Sequence, residues 1–237
     1  MKNQKNIEVA GVGNVKFVKR KSARNIRLRI DHYGQVMVSL PFWTPYKLAI
    51  QFVESKKDWI NKHQSTLTKH TFSHGERIGK AHRLQFVSSK GQKISTRVTD
   101  TEIRVHVPDS VTNTSQEVQR AIEKAAIRAL KKEATDLLLP KLRDLSLRHD
   151  LPYKSATVKR LSSRWGSCSA IKEITLNCYL MQLPWELIDY VLLHELLHTK
   201  ILAHGPKFWS ELDNFVKDLP SKRKSIKSFH PALFPQD

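Results

Sequence analysis

Two cysteines in 237 residues, Cys168 and Cys178, stand ten positions apart and make neither a disulfide framework nor a Cys-x-x-Cys pair. No apolar run approaches the roughly 18–20 residues that a bilayer-spanning helix needs. The opening MKNQKNIEVAGVGNV has no apolar segment and no cleavage-site pattern, so no signal peptide is expected. No internal repeat or low-complexity tract is visible, which sets aside solenoids and disordered linkers. Acidic residues are also short: 22 against 41 Lys plus Arg. These absences lead to the expectation of a reduced, cytoplasmic protein with no membrane partner. What is present suits a folded chain, since 40% of residues are hydrophobic, with 5 Trp and 9 Phe to build a core.

The charge is lopsided. Net charge is +19, and residues 1–100 hold 20 basic against 6 acidic residues. A surplus of that size attracts polyanions, nucleic acid before an anionic membrane, although a solubilising surface has the same signature. DNA or RNA bound through the basic N-terminal portion is therefore one expected partner. Oligomeric state is not legible.

In RNIRLRI (24–30), Ile26, Leu28 and Ile30 alternate with Arg27 and Arg29, the period of a strand with one buried face. DHYG (31–34) reads as a turn and QVMVSL (35–40) as the returning strand. Thr44 then caps a helix with Pro45 at its first position and an apolar stripe of Leu48, Ala49, Phe52, Val53, Trp59 and Ile60. RLQFVS (83–88), KISTRV (93–98) and EIRVHV (102–107) read as three strands. Thr114 and Glu117 form a capping box that opens a helix over about 115–139, with a kink or break at Pro140 and a helical tail to about 149. ATVKRL (156–161) and EITLNCYL (173–180) are strands, and Pro184 opens a further helix. The fold class is α+β: a β-rich basic portion with one helix over 1–110, then a mostly helical portion with a small sheet over 111–237.

That last helix carries IDYVLLHELLHTKILAHGPKFW (188–209), an oily segment with a glutamate and three histidines. Residues four apart share a helical face, so His194 and His198 aim two imidazoles at one ion, with Glu195 fronting the same site. This is the H-E-x-x-H arrangement, two zinc ligands beside a carboxylate able to take a proton from a metal-activated water. A catalytic zinc needs a third protein ligand. His204 would lie 240° round and about 9 Å along a continued helix from His198, out of reach. The helix must therefore stop between 199 and 203 and His204 must fold back; otherwise Glu211 is the next candidate. Gly205-Pro206 supplies a stop, but TKILA contains no breaker. Three neutral imidazoles select Zn2+ as the expected cofactor. His32, His63, His70, His74 and His82 are expected to be exposed polar residues, and His230 has no demonstrated place.

SSRWGSCS (162–169) reads as a tight turn anchored by Trp165. The following strand, 173–180, would form a sheet edge beside the histidines, where an extended peptide can pair. Arg164, Tyr179 and Tyr190 are unranked candidates for stabilising an oxyanion. Cys168 has no partner base and is expected to be neither nucleophile nor ligand.

The stretches RNIRLRID…QVMVSLP, VESKKDWI, SRWGSCS, ITLNCYL and LPWELIDYVLLHELLHTKILAHGPKFW together resemble the YgjP-like family of metallopeptidases, relatives of SprT-like and Wss1-like zinc proteases. The resemblance covers most of the chain and is most specific over 162–209. It implies a zincin-like metallopeptidase domain over 111–237, with His194, His198 and His204 as zinc ligands, Glu195 as catalytic base and a protein or peptide as substrate. The histidine spacing is also that of metzincins, but Ile201 stands where those enzymes place a turn glycine. SprT-like relatives act on proteins crosslinked to DNA, which fits the basic half. The alternative is a nucleic-acid-binding protein with a structural zinc and no hydrolytic activity.

Overall fold

Alternation of apolar and polar residues builds the N-terminal sheet. The computed structural model describes residues 4–30, 34–66 and 70–233, and the chain divides into two units, Met1–His70 and Thr71–Asp237. In the first, β1 (Gln4–Val9) and β2 (Gly13–Arg20) form a hairpin around Gly11 and Gly13, both at positive φ. The strands β3 (Arg27–Ile30) and β4 (Val36–Pro41) pair antiparallel, as the alternation predicts. Of the expected turn, residues 31–33, with His32, lie outside the described residues. Because β4 also lies parallel to β2, the order is β1-β2-β4-β3.

One face of this sheet is apolar. Val15, Phe17, Val36, Val38 and Leu40 pack with Ala49 and Val53 of α1 (Tyr46–Glu54) and Ile60 of α2 (Lys57–Thr66). The expected single helix is thus two, and Pro45 is the residue before its first turn, with no side-chain cap. Leu48 and Trp59 leave the expected stripe and are 53% and 45% exposed. Ala49 and Val53, four apart on α1, share one helical face, whereas Leu48 lies about 100° from Ala49.

In the second unit, β5 (Arg77–Ile78), β6 (His82–Ser89), β7 (Ser95–Val98) and β8 (Glu102–Pro108) form a sheet of order β5-β6-β8-β7. Its apolar side, including Ile78, Leu84, Ile103 and Val105, is buried in one cluster with Val118, Ile122, Ala125, Ala126 and Ala129 of α3 (Gln116–Arg148). The small alanines bring helix and sheet close. The division therefore falls at 70/71 and not near 110, because this sheet has α3 as its cover. Gln119 of α3 fastens the first residues of this second unit, accepting the Phe72 N–H at 2.8 Å and donating to the Phe72 carbonyl at 3.2 Å.

Ser115, one residue later than expected, caps α3 by accepting the Val118 N–H at 3.4 Å. The helix runs unbroken through Pro140. Pro140 is exposed, while Ala134, Leu138, Leu142 and Leu145 stay buried at helical spacing across it. Continuous packing of that face outweighs one lost backbone hydrogen bond.

Beyond α3, β9 (Ser155–Lys159) runs parallel to β11 (Glu173–Asn177), and β10 (Gly166–Cys168) lies antiparallel on the other side of β11. A short 3₁₀ turn (Cys178–Gln182) leads to α4 (Trp185–Leu197), α5 (Pro206–Phe215) and α6 (Leu219–Ile226). Leu138 and Leu142 of α3 share a core with Leu180, Ile188 and Leu192, so one helix backs both sheets of this unit. No helix of the described residues is long and apolar enough to cross a membrane.

His63 and His74 are exposed as expected, but His82 is 1% exposed. Its Nδ1–H donates to the Glu133 carboxylate at 2.5 Å and its Nε2–H to the Thr99 carbonyl at 2.9 Å. Both ring nitrogens donate, so the ring is an imidazolium. Glu133 also accepts the backbone N–H groups of Lys80, Ala81 and His82. Burial opposes both charges, but the hydrogen bonds outweigh it: the His82 pKa is raised and the Glu133 pKa lowered. The raised histidine contributes stability that is complete below its unfolded value of 6.5 and lost as pH rises through the folded value. The lowered carboxyl contributes above 4.5 and loses its share as pH falls through its folded value. Glu133→Ala should cost about 3–5 kcal/mol in denaturant unfolding, because it leaves a buried cation unpaired. The stability difference between wild type and this variant should shrink as pH rises above 6.5 through the folded pKa of His82.

Candidate metal centre

Nothing in TKILA breaks a helix, yet α4 ends at Leu197 with His198 as its C-cap. The helix closes by tightening: Thr199 and Lys200 donate to the carbonyls three residues back, Leu196 at 2.9 Å and Leu197 at 3.0 Å. His198 Nδ1–H donates to the Ile201 carbonyl at 3.0 Å, which ties the departing chain to the helix end. Gly205 then precedes Pro206, the first residue of α5. From α5, Trp209 Nε1–H donates to the His204 carbonyl at 3.1 Å and holds that residue in place. The helix thus ends at Leu197, before the expected 199–203, and His204 folds back.

The three Nε2 atoms converge. His194–His198, His198–His204 and His194–His204 are separated by 3.2, 3.0 and 2.9 Å. The hydrogen bond to Ile201 keeps the His198 proton on Nδ1 and leaves its Nε2 lone pair facing the other two rings. Lone pairs converging so closely repel unless a cation lies among them. Nitrogen ligands about 2.0–2.1 Å from a tetrahedral ion stand about 3.3–3.4 Å apart, so the cluster fits a zinc-sized ion with little adjustment. Among the described residues this is the one group of three or more metal-ligating side chains. His230 and Glu211 are outside it. Phe208 stacks on His198 at 4.6 Å between centroids, and Trp209 on His204 at 5.6 Å. Burial, then the neighbouring rings, push the His194 pKa down to about 3, which keeps that imidazole neutral and able to ligate. His194 Nδ1 is buried without a partner among the described residues.

Glu195 is 6% exposed and lines a cleft with all three histidines, Leu202 and the β10 residues Gly166 to Cys168. Burial raises its pKa to about 8, opposed by Arg164. The glycine at 166 is explained by this carboxylate. A Cβ there would lie 2.7 Å from both Glu195 Cγ and Oε1. The close approach also sets which strand borders the cleft. β11 is paired on both sides, so the free edge is β10, not the 173–180 strand expected from the sequence.

Asn177, at the end of β11, is fully buried and fastens the SSRWG loop. It accepts from Leu161 N–H at 3.3 Å and donates to the carbonyls of Leu161 at 2.9 Å and Arg164 at 2.8 Å. Of the three oxyanion candidates, Arg164 and Tyr190 line a 240 Å³ concavity with Trp165, Val191, Ile226, His194 and Glu195. Tyr179 is 2% exposed and faces Arg160, so it is not one of them. No motif or spacing in the sequence marks Arg223 of α6 as a neighbour of the histidines. Its guanidinium lies 3.7 Å over the Trp209 ring, and its charge bears on His194 and Tyr190. Only the fold brings α6 here.

A model of the YgjP-like metallopeptidase domain matches residues 24–229. No curated protein matches. Among solved structures, the metallopeptidase zymogen jannalysin of Methanocaldococcus jannaschii is 26% identical, with 37% of this chain and 90% of that one covered at a TM-score of 0.34. The metallopeptidase zymogen abylysin of Pyrococcus abyssi is 19% identical, with 41% and 100% covered at a TM-score of 0.36.

Gly166→Ala should destabilise the protein by about 1–3 kcal/mol in denaturant unfolding, the usual cost of overpacking. Combining it with Glu195→Ala, which removes the colliding carboxylate, should recover most of that loss; an additive double variant would show that the collision is elsewhere.

Proposed function

The chain belongs to the YgjP-like metallopeptidases, and on that footing we propose a zinc-dependent peptidase in which His194, His198 and His204 hold one Zn2+ and Glu195 is the general base. The observation that carries this is the meeting of three Nε2 atoms within 3.2 Å, with a buried carboxyl on the same cleft. Zinc bound there supplies Lewis acidity, polarising a peptide carbonyl and bringing the pKa of water to about 7.

The chain's own residues supply the rest. Glu195 takes a proton from the attacking water as the new C–O bond forms, then delivers it to the amide nitrogen as the C–N bond breaks. The free edge of β10 offers backbone groups to an extended peptide, whose scissile carbonyl then lies across the histidines. Arg164 and Tyr190, which line the concavity beside His194 and Glu195, would stabilise charge developing on the carbonyl oxygen. The concavity walled by Trp165, Val191, Tyr190 and Ile226 suits an apolar substrate side chain next to the cleaved bond.

The substrates would be proteins held on nucleic acid. This is supported by the 20 basic against 6 acidic residues in 1–100. Two free cysteines, Cys168 and Cys178, support a reducing, cytoplasmic setting.

Protein purified without added metal should carry one zinc per chain by elemental analysis, and His198→Ala should lose most of it. Full occupancy in that variant would remove His198 from the ligand set. Glu195→Gln should keep fold and zinc while lowering peptide hydrolysis by about 10²–10⁴-fold. If it cleaves like wild type, the base is another group.

A further inference from the structure

The sheet of β1–β4 has a second face, which neither helix covers. Register identifies what stands on it. Arg27 pairs with Ser39 and Arg29 with Met37 across β3–β4, while Lys16 pairs with Met37 and Val18 with Ser39 across β2–β4. Paired residues share a face, as do residues two apart on a strand. Met37 and Ser39 of β4 are therefore flanked by Arg27 and Arg29 on one side and by Lys16 and, two residues beyond Val18, Arg20 on the other. A short or flexible side chain on the middle strand between long cations on both neighbours makes a trough. The structure has a concavity of about 270 Å³ here, lined by Arg20, Arg27, Arg29, Met37 and Ser39.

Its charge is uncompensated. Arg20, Arg27 and Arg29 are exposed, and none of these three or Lys16 has an acidic partner among the described residues. Among the described residues one acid, Glu8, shares this face, on the far strand β1 opposite Asn14. Residues two apart on a strand are about 6.6 Å apart, and a nucleic-acid strand presents one charge per about 3.4 Å of axis. Arg27 and Arg29 thus stand about two phosphate repeats apart. Planar guanidinium groups suit phosphate oxygens bidentately. A membrane surface is the poorer match. The exposed large apolar residues of this unit, Phe42, Trp43, Leu48 and Trp59, lie in the β4–α1 turn and on the helices, and an amphipathic membrane face needs them beside its cations.

We propose that this trough docks the phosphodiester backbone of nucleic acid, without reading base sequence. It locates the nucleic-acid association of the preceding reading and rests on that part of it, not on the zinc chemistry. The test uses the full chain and fluorescence anisotropy with a short labelled single strand of DNA, its duplex and the matching RNA. Salt is varied from about 50 to about 200 mM. Wild type should bind at low salt and weaken steeply as salt rises. Arg20→Gln/Arg27→Gln/Arg29→Gln should weaken binding about tenfold or more and flatten the slope of log K against log salt by about 2. Lys47→Gln/Lys56→Gln/Lys90→Gln removes the same charge from exposed positions off this face and should leave the slope much closer to wild type. Ser39→Glu sets an anion on the trough floor and should weaken binding without removing a cation. Equal losses in the two triple variants, no binding at low salt, or tighter binding to phosphatidylserine vesicles than to every nucleic acid would each overturn the proposal. Zinc content and hydrolysis of a free peptide should stay at wild-type levels in all three variants, which separates its failure from failure of the peptidase assignment.

Discussion

Three imidazole nitrogens can meet at one point only if the helix that carries the first two stops before the third. His194 and His198 are neighbours by helical periodicity, whereas His204 on a continued helix would lie about 9 Å further along and on another side. The structure meets this constraint without a glycine or a left-handed residue between 199 and 203. Hydrogen bonds to carbonyls three residues back tighten the last turn, and the ring of His198 grips the Ile201 carbonyl. The bond that ends the helix is thus the bond that orients the His198 imidazole. Helix α5 completes the arrangement, since its Trp209 holds the His204 backbone and its Phe208 backs the His198 ring.

A second constraint acts on the carboxylate. Glu195 sits against the backbone of Gly166, so close that no Cβ fits. This contact binds the SRWGSCS stretch to the HELLH helix. It also brings the unpaired edge of β10 to the cleft, where an extended chain has backbone groups to pair with. Asn177, buried at the end of the neighbouring strand, holds the loop that carries Arg164 by hydrogen bonds from one amide group. The polar content of the core is concentrated in such fasteners, and the ion pair of His82 and Glu133 is another.

The long helix α3 explains why strands 77–108 belong with the histidine cluster and not with the N-terminal sheet. Its first half covers that sheet through alanines, and its second half meets α4 through leucines. A break at Pro140 would have divided these two tasks. Because the proline faces outward, the buried face passes it undisturbed.

Local periodicity was enough to read strands β3 and β4, the helix bearing His194 and His198, and the face these two residues share, since each depends on neighbours within a turn or a hairpin. The need for a turn before His204 was also legible, as a consequence of helix geometry. The means of turning was not, because it depends on a side chain bonding a carbonyl and on a tryptophan of the next helix. The boundary at 70/71, the burial of His82 and the free edge at β10 were likewise decided by partners remote in the chain: α3, Glu133 and β9. Gly166 and Arg223 show the limit most clearly. A glycine in a small-residue loop and an arginine in a basic helix look ordinary in one dimension. One is required because a carboxylate 29 positions later occupies the space of its side chain, and the other matters because tertiary packing stacks it on Trp209 beside the histidines.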